Sequence, residues 1–212
     1  TYAENAALKA LEWAKKYGCL ALADDSGLEV AALENRPGIH SAYYAFVRGA
    51  SRRAIETASR AADRRSARET SALNIRRLLD ELRGMPAGLR RARFVCVMAL
   101  AVPGRIRYGA TRKRHHTAAA EVVFFGRGTC RGRITTEPRG ALGFGYDPVF
   151  YSSELGRTFA EAGQLQKNKV SHRARALEQV RSFLEKRLPR IQRLFPRIPE
   201  MDRRGTDIHS AR

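Results

Sequence analysis

The sequence is poor in cysteine, lysine and acidic residues, and it has no long hydrophobic run. Its three cysteines, Cys19, Cys96 and Cys130, lie far apart and form no CxxC pair. That excludes a disulfide scaffold, and a reduced, cytoplasmic location is the expectation. No stretch of about 18 apolar residues occurs, so neither a membrane-spanning helix nor a membrane partner is expected. Acidic residues number only 21 against 40 basic ones, a formal net charge of +19. Lysine occurs only at positions 9, 15, 16, 113, 167, 169 and 186, so the excess is almost entirely arginine. Such charge permits non-specific contact with nucleic acid, because clustered cations neutralise phosphates. It equally describes a solvated basic surface, since net charge speaks to solubility and association rather than to fold. The chain opens on Thr1, with no apolar or Arg/Ser-rich leader before helical pattern begins. The expectation is a sequence that starts inside a longer natural chain.

What is present suits a globular domain: 212 residues, 43% of them apolar. Thr1 and Glu4 have capping-box spacing, Leu8, Leu11 and Ala14 recur at helical period, and Gly18 marks a stop. Residues 19–23 read as a buried strand ending in an Asp24-Asp25-Ser26-Gly27 turn, with a second apolar stretch from Leu28 to Leu33. Asn35-Arg36-Pro37-Gly38 is a turn signal. Residues 48–72 are Arg- and Ala-rich; as a helix they have little to bury. A sharper helical period begins at Leu73 and closes at Gly84-Met85-Pro86. Residues 92–102 read as a central strand, with 105–110 and 119–125 as further strands before a glycine-punctuated stretch. The last amphipathic helix is expected over 174–188, with Ala176, Leu177, Val180, Phe183, Leu184 and Leu188 on one side. The fold class is α/β, a mixed central sheet flanked by helices, with two lobes and a cleft.

Three segments carry chemistry. Asp24 and Asp25 beside Ser26 offer hard oxygen ligands of the kind Mg²⁺ takes together with phosphates, and a carboxylate there can orient or deprotonate a water. Gly143-Phe144-Gly145-Tyr146-Asp147-Pro148 combines a ring with closely approachable backbone, which suits a planar hydrogen-bonding ligand such as a nucleobase. Lys167, His172 and Arg173, just before the last helix, make an anion site. The cluster Arg112-Lys113-Arg114-His115-His116 lacks metal-ligand spacing and reads as an exposed loop or strand end. An acidic metal site, a base pocket and a phosphate clamp together describe an enzyme acting on a nucleoside triphosphate.

Residues 1–10 and 23–30, Arg36-Pro37-Gly38-Ile39-His40-Ser41-Ala42, 92–97, 143–150 and 171–177 occur in one order that resembles the inosine triphosphate pyrophosphatase family. The resemblance covers most of 1–188. It implies Mg²⁺-dependent hydrolysis of non-standard purine nucleoside triphosphates (XTP, ITP, dITP) to the monophosphate and pyrophosphate, in a homodimer. By the same resemblance Asp25 is the catalytic carboxylate, Asp25 and Asp24 hold the metal, and Ser26, Phe144, Gly145, Tyr146, Asp147, Lys167, His172 and Arg173 bind substrate. The family's Thr-Gly-Asn…Lys phosphate loop has no counterpart in these residues, and Tyr43 stands where the family has arginine. The expectation is little activity for this stretch alone and an active parent chain. Domain organisation is read as a pyrophosphatase domain over 1–188 with an Arg/Ala-rich insertion at about 47–70, then a basic tail over 189–212. The competing reading is a non-enzymatic, basic nucleic-acid-binding protein on a degenerate pyrophosphatase scaffold.

Overall fold

The computed structural model describes residues 1–49, 51–104, 106–108, 115–117 and 119–194. Helix α1 (Tyr2–Tyr17) forms where its capping box places it: the Thr1 hydroxyl accepts from the Glu4 backbone N–H, and the Glu4 carboxylate accepts from the Thr1 amino group. Gly18 ends it at φ 61°, a left-handed cap glycine adopts without strain. Its buried stripe is Ala6, Ala10 and Ala14, packed on Ala21, Ala99 and Ala101. Leu8, expected on that stripe, is 67% exposed. Small side chains let the helix lie close on the sheet; larger ones would hold it off.

Strand β1 (Ala21–Val30) runs unbroken through Asp24-Asp25-Ser26-Gly27. No turn forms there, contrary to the sequence expectation. Its ladder with β3 (Arg91–Val102) is continuous from the Ala21–Ala101 pair to the Val30–Ala92 pair. Pairing with this apolar strand satisfies the backbone groups that face it along the whole length of β1, and outweighs the turn preference of Asp and Gly. After β2 (Pro37–Gly38) and β3, the strands β4 (Ile106–Tyr108) and β5 (His115–Thr117) form a separate pair. Residues 112–114 of the basic cluster lie outside the described residues, and His115 and His116 fall in β5. Strands β6 (Glu121–Ile134), β7 (Phe150–Ser152) and β8 (Arg157–Thr158) complete a six-stranded sheet of order β2-β1-β3-β6-β7-β8. The α/β class is as expected, but every strand pairing among the described residues is antiparallel rather than mixed. The helical excursion between β1 and β3 returns the chain to the end of the sheet it left.

The Arg/Ala-rich stretch forms α2 (Arg52–Asp63), and α3 (Ala67–Glu81) starts upstream of Leu73 because Ser66 and Glu69 make a capping box. Only Ala58 of α2 is buried among its described side chains, as its composition implied. Strand β6 continues past Phe125 through Gly126, Gly128 and Gly132. A Cβ at Gly126 would lie 2.6 Å from the Ala176 carbonyl oxygen, and one at Gly128 would lie 2.6 Å from the Ala176 nitrogen. These glycines let α5 (His172–Leu194), which follows α4 (Gln164–Val170), lie directly on the sheet. Ala176 and Val180 of α5 pack on Cys96 and Met98. Leu177, expected beside them, is 49% exposed, because it sits about 100° around the helix from Ala176. Helix α5 continues through Pro189 to Leu194 despite losing that backbone donor, so the first residues of the expected tail are helical. Residues 195–212 lie outside the described residues. No helix among the described residues is long and apolar enough to cross a membrane.

Candidate functional site

A cleft of about 660 Å³ opens where α2 and α3, the 3-10 segment Ser41–Phe46, the Phe144 loop and the α4–α5 junction meet the sheet. Ser26, Phe144, Gly145, Tyr146, Asp147, Lys167, His172 and Arg173 all line it. The fold thus brings together every residue that the motifs assigned to substrate.

The Phe144 loop is built around one carboxylate. Gly143 (φ 80°) and Gly145 (φ 58°) take left-handed conformations, and a Cβ at Gly143 would collide with Asp147. Asp147 accepts from the Phe144 backbone N–H at 2.9 Å and from the Lys167 ammonium group. That ion pair is buried, with side-chain exposures of 9% for Lys167 and 3% for Asp147. Closure of the loop on Asp147 leaves Phe144 64% exposed. Its ring stands 4.7 Å from Lys167 Nζ and 5.3 Å from Arg173 Cζ. Tyr146 is buried, and its hydroxyl donates to the Ser41 carbonyl at 3.0 Å. Burial pushes its pKa well up, so the hydroxyl stays a donor. It ties the loop to the segment across the cleft.

His172 begins α5 buried, its ring stacked on Phe94 at 4.7 Å. Burial first, then the neighbouring Arg173 and Lys167, lower its pKa to about 3, so the ring is neutral at physiological pH. Among the described residues its Nδ1 has no hydrogen-bond partner, which leaves an unmade bond at the cleft wall.

Asp24 and Asp25 are neighbours on a strand, so their side chains leave by opposite faces of the sheet. Asp25 faces α1, accepting from Asn5 Nδ2 at 3.1 Å and Lys9 Nζ at 3.3 Å. Asp24 faces α5, accepting from Ser26 Oγ at 2.9 Å and Arg173 Nε at 3.2 Å. Burial alone would raise the Asp24 pKa; Ser26 and Arg173 outweigh it and hold the carboxyl below its usual range. Neither aspartate is among the residues lining the cleft. No group of three His, Cys, Asp or Glu suited to a metal gathers among the described residues. Asp25 fits Mg²⁺ as a single carboxylate ligand, because that ion keeps several waters and takes its other ligands from substrate phosphates.

The motifs missed the opposite wall. Ser41 Oγ donates to the Gly38 carbonyl at 2.6 Å and accepts from the Leu28 N–H at 2.9 Å. Asn74 accepts from the Ala45 N–H at 2.7 Å and donates to the carbonyls of Ser41 and Ala42 at 3.2 and 3.1 Å. Arg77 adds bonds to the Tyr44 and Val47 carbonyls and to Glu81. A signal existed: Thr70, Asn74 and Leu78 recur at i, i+4, placing a polar residue in the buried phase of α3. Ser59 and Asp63 of α2 and Arg65 just after it line the cleft, so the Arg/Ala-rich stretch forms part of its wall.

A family model described as the Ham1 family matches residues 1–183. The chain belongs to the Ham1 family. Among its Ham1 relatives, a protein of Geobacillus kaustophilus named dITP/XTP pyrophosphatase is 44% identical over 177 residues, covering 84% of this chain and 69% of that one. One of the same name from Halalkalibacterium halodurans is 40% identical over 185 residues, covering 87% of this chain and 77% of that one. A solved HAM1 protein from Coxiella burnetii superposes with a TM-score of 0.63 at 35% identity, covering 88% of this chain and 77% of the other. The Ham1 protein of Staphylococcus aureus gives 0.62 at 35% identity, with the same 88% and 77% coverage. The Ham1 assignment agrees with the resemblance read from the motifs, and with the α/β fold.

Proposed function

We propose that this Ham1 chain is a nucleoside triphosphate pyrophosphatase that hydrolyses non-standard purine nucleoside triphosphates (XTP, ITP and dITP) to monophosphate and pyrophosphate. The observation that carries the reading is the convergence, in one cleft, of an exposed Phe144 ring, a neutral His172 with an unmade hydrogen bond, and the cations Lys167 and Arg173. The ring offers a stacking surface for a purine, and neighbouring backbone groups and His172 offer hydrogen bonds to a base edge. A site that pairs with an oxo group rejects the analogue that cannot pair there, because its own buried group is left unsatisfied. Asp25 is assigned to orient and deprotonate the attacking water, with Lys9 and Asn5 fixing its carboxylate. Mg²⁺, when bound beside Asp25, offsets the charge of the phosphates. Asp24 serves the site by holding Arg173 at the cleft edge.

The test is pyrophosphate release from XTP, ITP, dITP and ATP with Mg²⁺, using the full natural chain. Faster turnover of the first three than of ATP is expected. Equal rates on all four, or none on any, would refute the selectivity. Asp25→Asn is expected to abolish turnover while leaving the thermal transition within a few degrees, because Asp25 is a polar strand residue held by only two side chains.

A further inference from the structure

The cleft uses few of the arginines that make this chain basic. The cleft-lining Phe94 and its cross-strand partner Cys130 point to one face of the sheet, and both are buried there. On the opposite face, the same two strands carry a compact array of arginines. Arg91 of β3 lies directly opposite Arg133 of β6, and Arg93 lies directly opposite Arg131. All four are exposed. Like charges directly opposed on antiparallel strands destabilise a sheet, and here two such pairs stand side by side.

Little on the chain answers this charge. Glu29 accepts from Arg93 Nε at 2.6 Å. Among the described residues, Arg91, Arg131 and Arg133 have no ion pair. Arg133 instead lies over the Tyr151 ring at 3.9 Å. A shallow groove of about 390 Å³ opens here, lined by Arg91, Arg93 and Arg131 together with Glu29, Asn35 and Ser153. Strand geometry spaces the guanidinium stems by about 7 Å along each strand and about 5 Å across. That array is flat and open, and one phosphate cannot neutralise it. Each guanidinium is a planar fork that pairs two N–H groups with two phosphate oxygens. An aromatic ring beside a positive track is the combination that single-strand-binding surfaces use.

We propose that this arginine face binds the phosphate backbone of single-stranded nucleic acid. The face is separate from the cleft and independent of the activity assigned to it. A phosphate chain relieves both opposed pairs at once, and the net charge of +19 adds long-range attraction.

The experiment is fluorescence anisotropy of the full chain with a labelled single strand of about 12 nucleotides, within the usual range of such sites. It is repeated over a series of salt concentrations. Four arginines on phosphates give a slope of log K against log salt of about −3, at about −0.7 per charge for single strands. The double variant Arg131→Glu with Arg133→Glu is expected to weaken binding at least about tenfold and to roughly halve the slope. Arg60→Glu with Arg64→Glu, the same charge change on exposed residues at the end of α2 and just after it, is expected to change affinity less than about threefold. Asp25→Asn is expected to bind like wild type. The proposal falls if both double variants lose affinity equally, because net charge alone then explains binding. It falls too if the β6 variant binds normally, or if pyrophosphate or poly-glutamate at matched charge competes as well as the oligonucleotide. Circular dichroism checks the fold, and Arg131→Gln with Arg133→Gln carries the same test should the charge reversal fail to fold.

Discussion

Replacing Asp147 by Asn tests the interior of the site most directly. Lys167 and Asp147 form an ion pair with side-chain exposures of 9% and 3%. Asn keeps the size and one acceptor oxygen, so the bond from the Phe144 N–H can persist, but the charge that answers Lys167 is gone. Removing one partner of a buried pair leaves an uncompensated buried charge, which costs about 3–5 kcal/mol. For a chain of this size that corresponds to a fall in Tm of roughly 6–20 °C. Lys167→Met leaves Asp147 buried with only the Phe144 N–H at 2.9 Å, a loss of the same kind. The double variant, Asp147→Asn with Lys167→Met, removes both charges. It should recover at least half of the sum of the single losses, because apolar replacement of a buried pair is often neutral. Urea unfolding of wild type, both single variants and the double variant gives the coupling energy directly. A coupling below about 0.5 kcal/mol, the scatter of independent sites, would refute the claim that these charges depend on each other. Phe144 should also respond: with Lys167 no longer held, its ring loses the cation now 4.7 Å away.

Gly128→Ala should destabilise by about 1–3 kcal/mol, since its Cβ would press on the His172 carbonyl and lie 2.6 Å from the Ala176 nitrogen; denaturant midpoints check this. His172 has a folded pKa of about 3 against an ordinary 6.5, so the unfolded chain binds the extra proton first. Its contribution to stability is full above about pH 6.5 and is lost as pH falls toward about 3, with a slope of at most about 1.4 kcal/mol per pH unit. His172→Gln should flatten that part of the stability–pH curve; an unchanged curve would show that His172 is not the group responsible. Asn74→Ala removes three hydrogen bonds that hold the cleft wall, and should both lower the urea midpoint and raise KM more than it lowers kcat.

Several features of this protein were decided by residues acting on near neighbours, and those were legible in the sequence. The Thr1–Glu4 capping box and the Gly18 stop fix α1 through bonds to adjacent backbone. The apolar run at 92–102 reads as a central strand, and β3 is one of the two middle strands of the sheet. The ordered motifs at 23–27, 143–148 and 167–173 named residues that meet in the cleft, Ser26, Phe144 to Asp147, Lys167, His172 and Arg173, though not Asp24 and Asp25, which lie outside its lining. Tertiary structure decided what depends on partners distant in the chain. Asp24-Asp25-Ser26-Gly27 is strand rather than turn because β3 supplies a full ladder beside it. That extended backbone in turn sends the two aspartates to opposite faces, Asp25 to Lys9 and Asp24 to Arg173. The glycines of β6 only punctuate the sequence until α5 is laid against them. Asn74 and Ser41 lie 33 positions apart, and no local pattern announces their bond. The arginines of β3 and β6 are scattered charge in the sequence; antiparallel register alone sets Arg91 against Arg133 and Arg93 against Arg131. Local bonds and periodicity are written in consecutive residues, whereas register and burial depend on which surfaces meet.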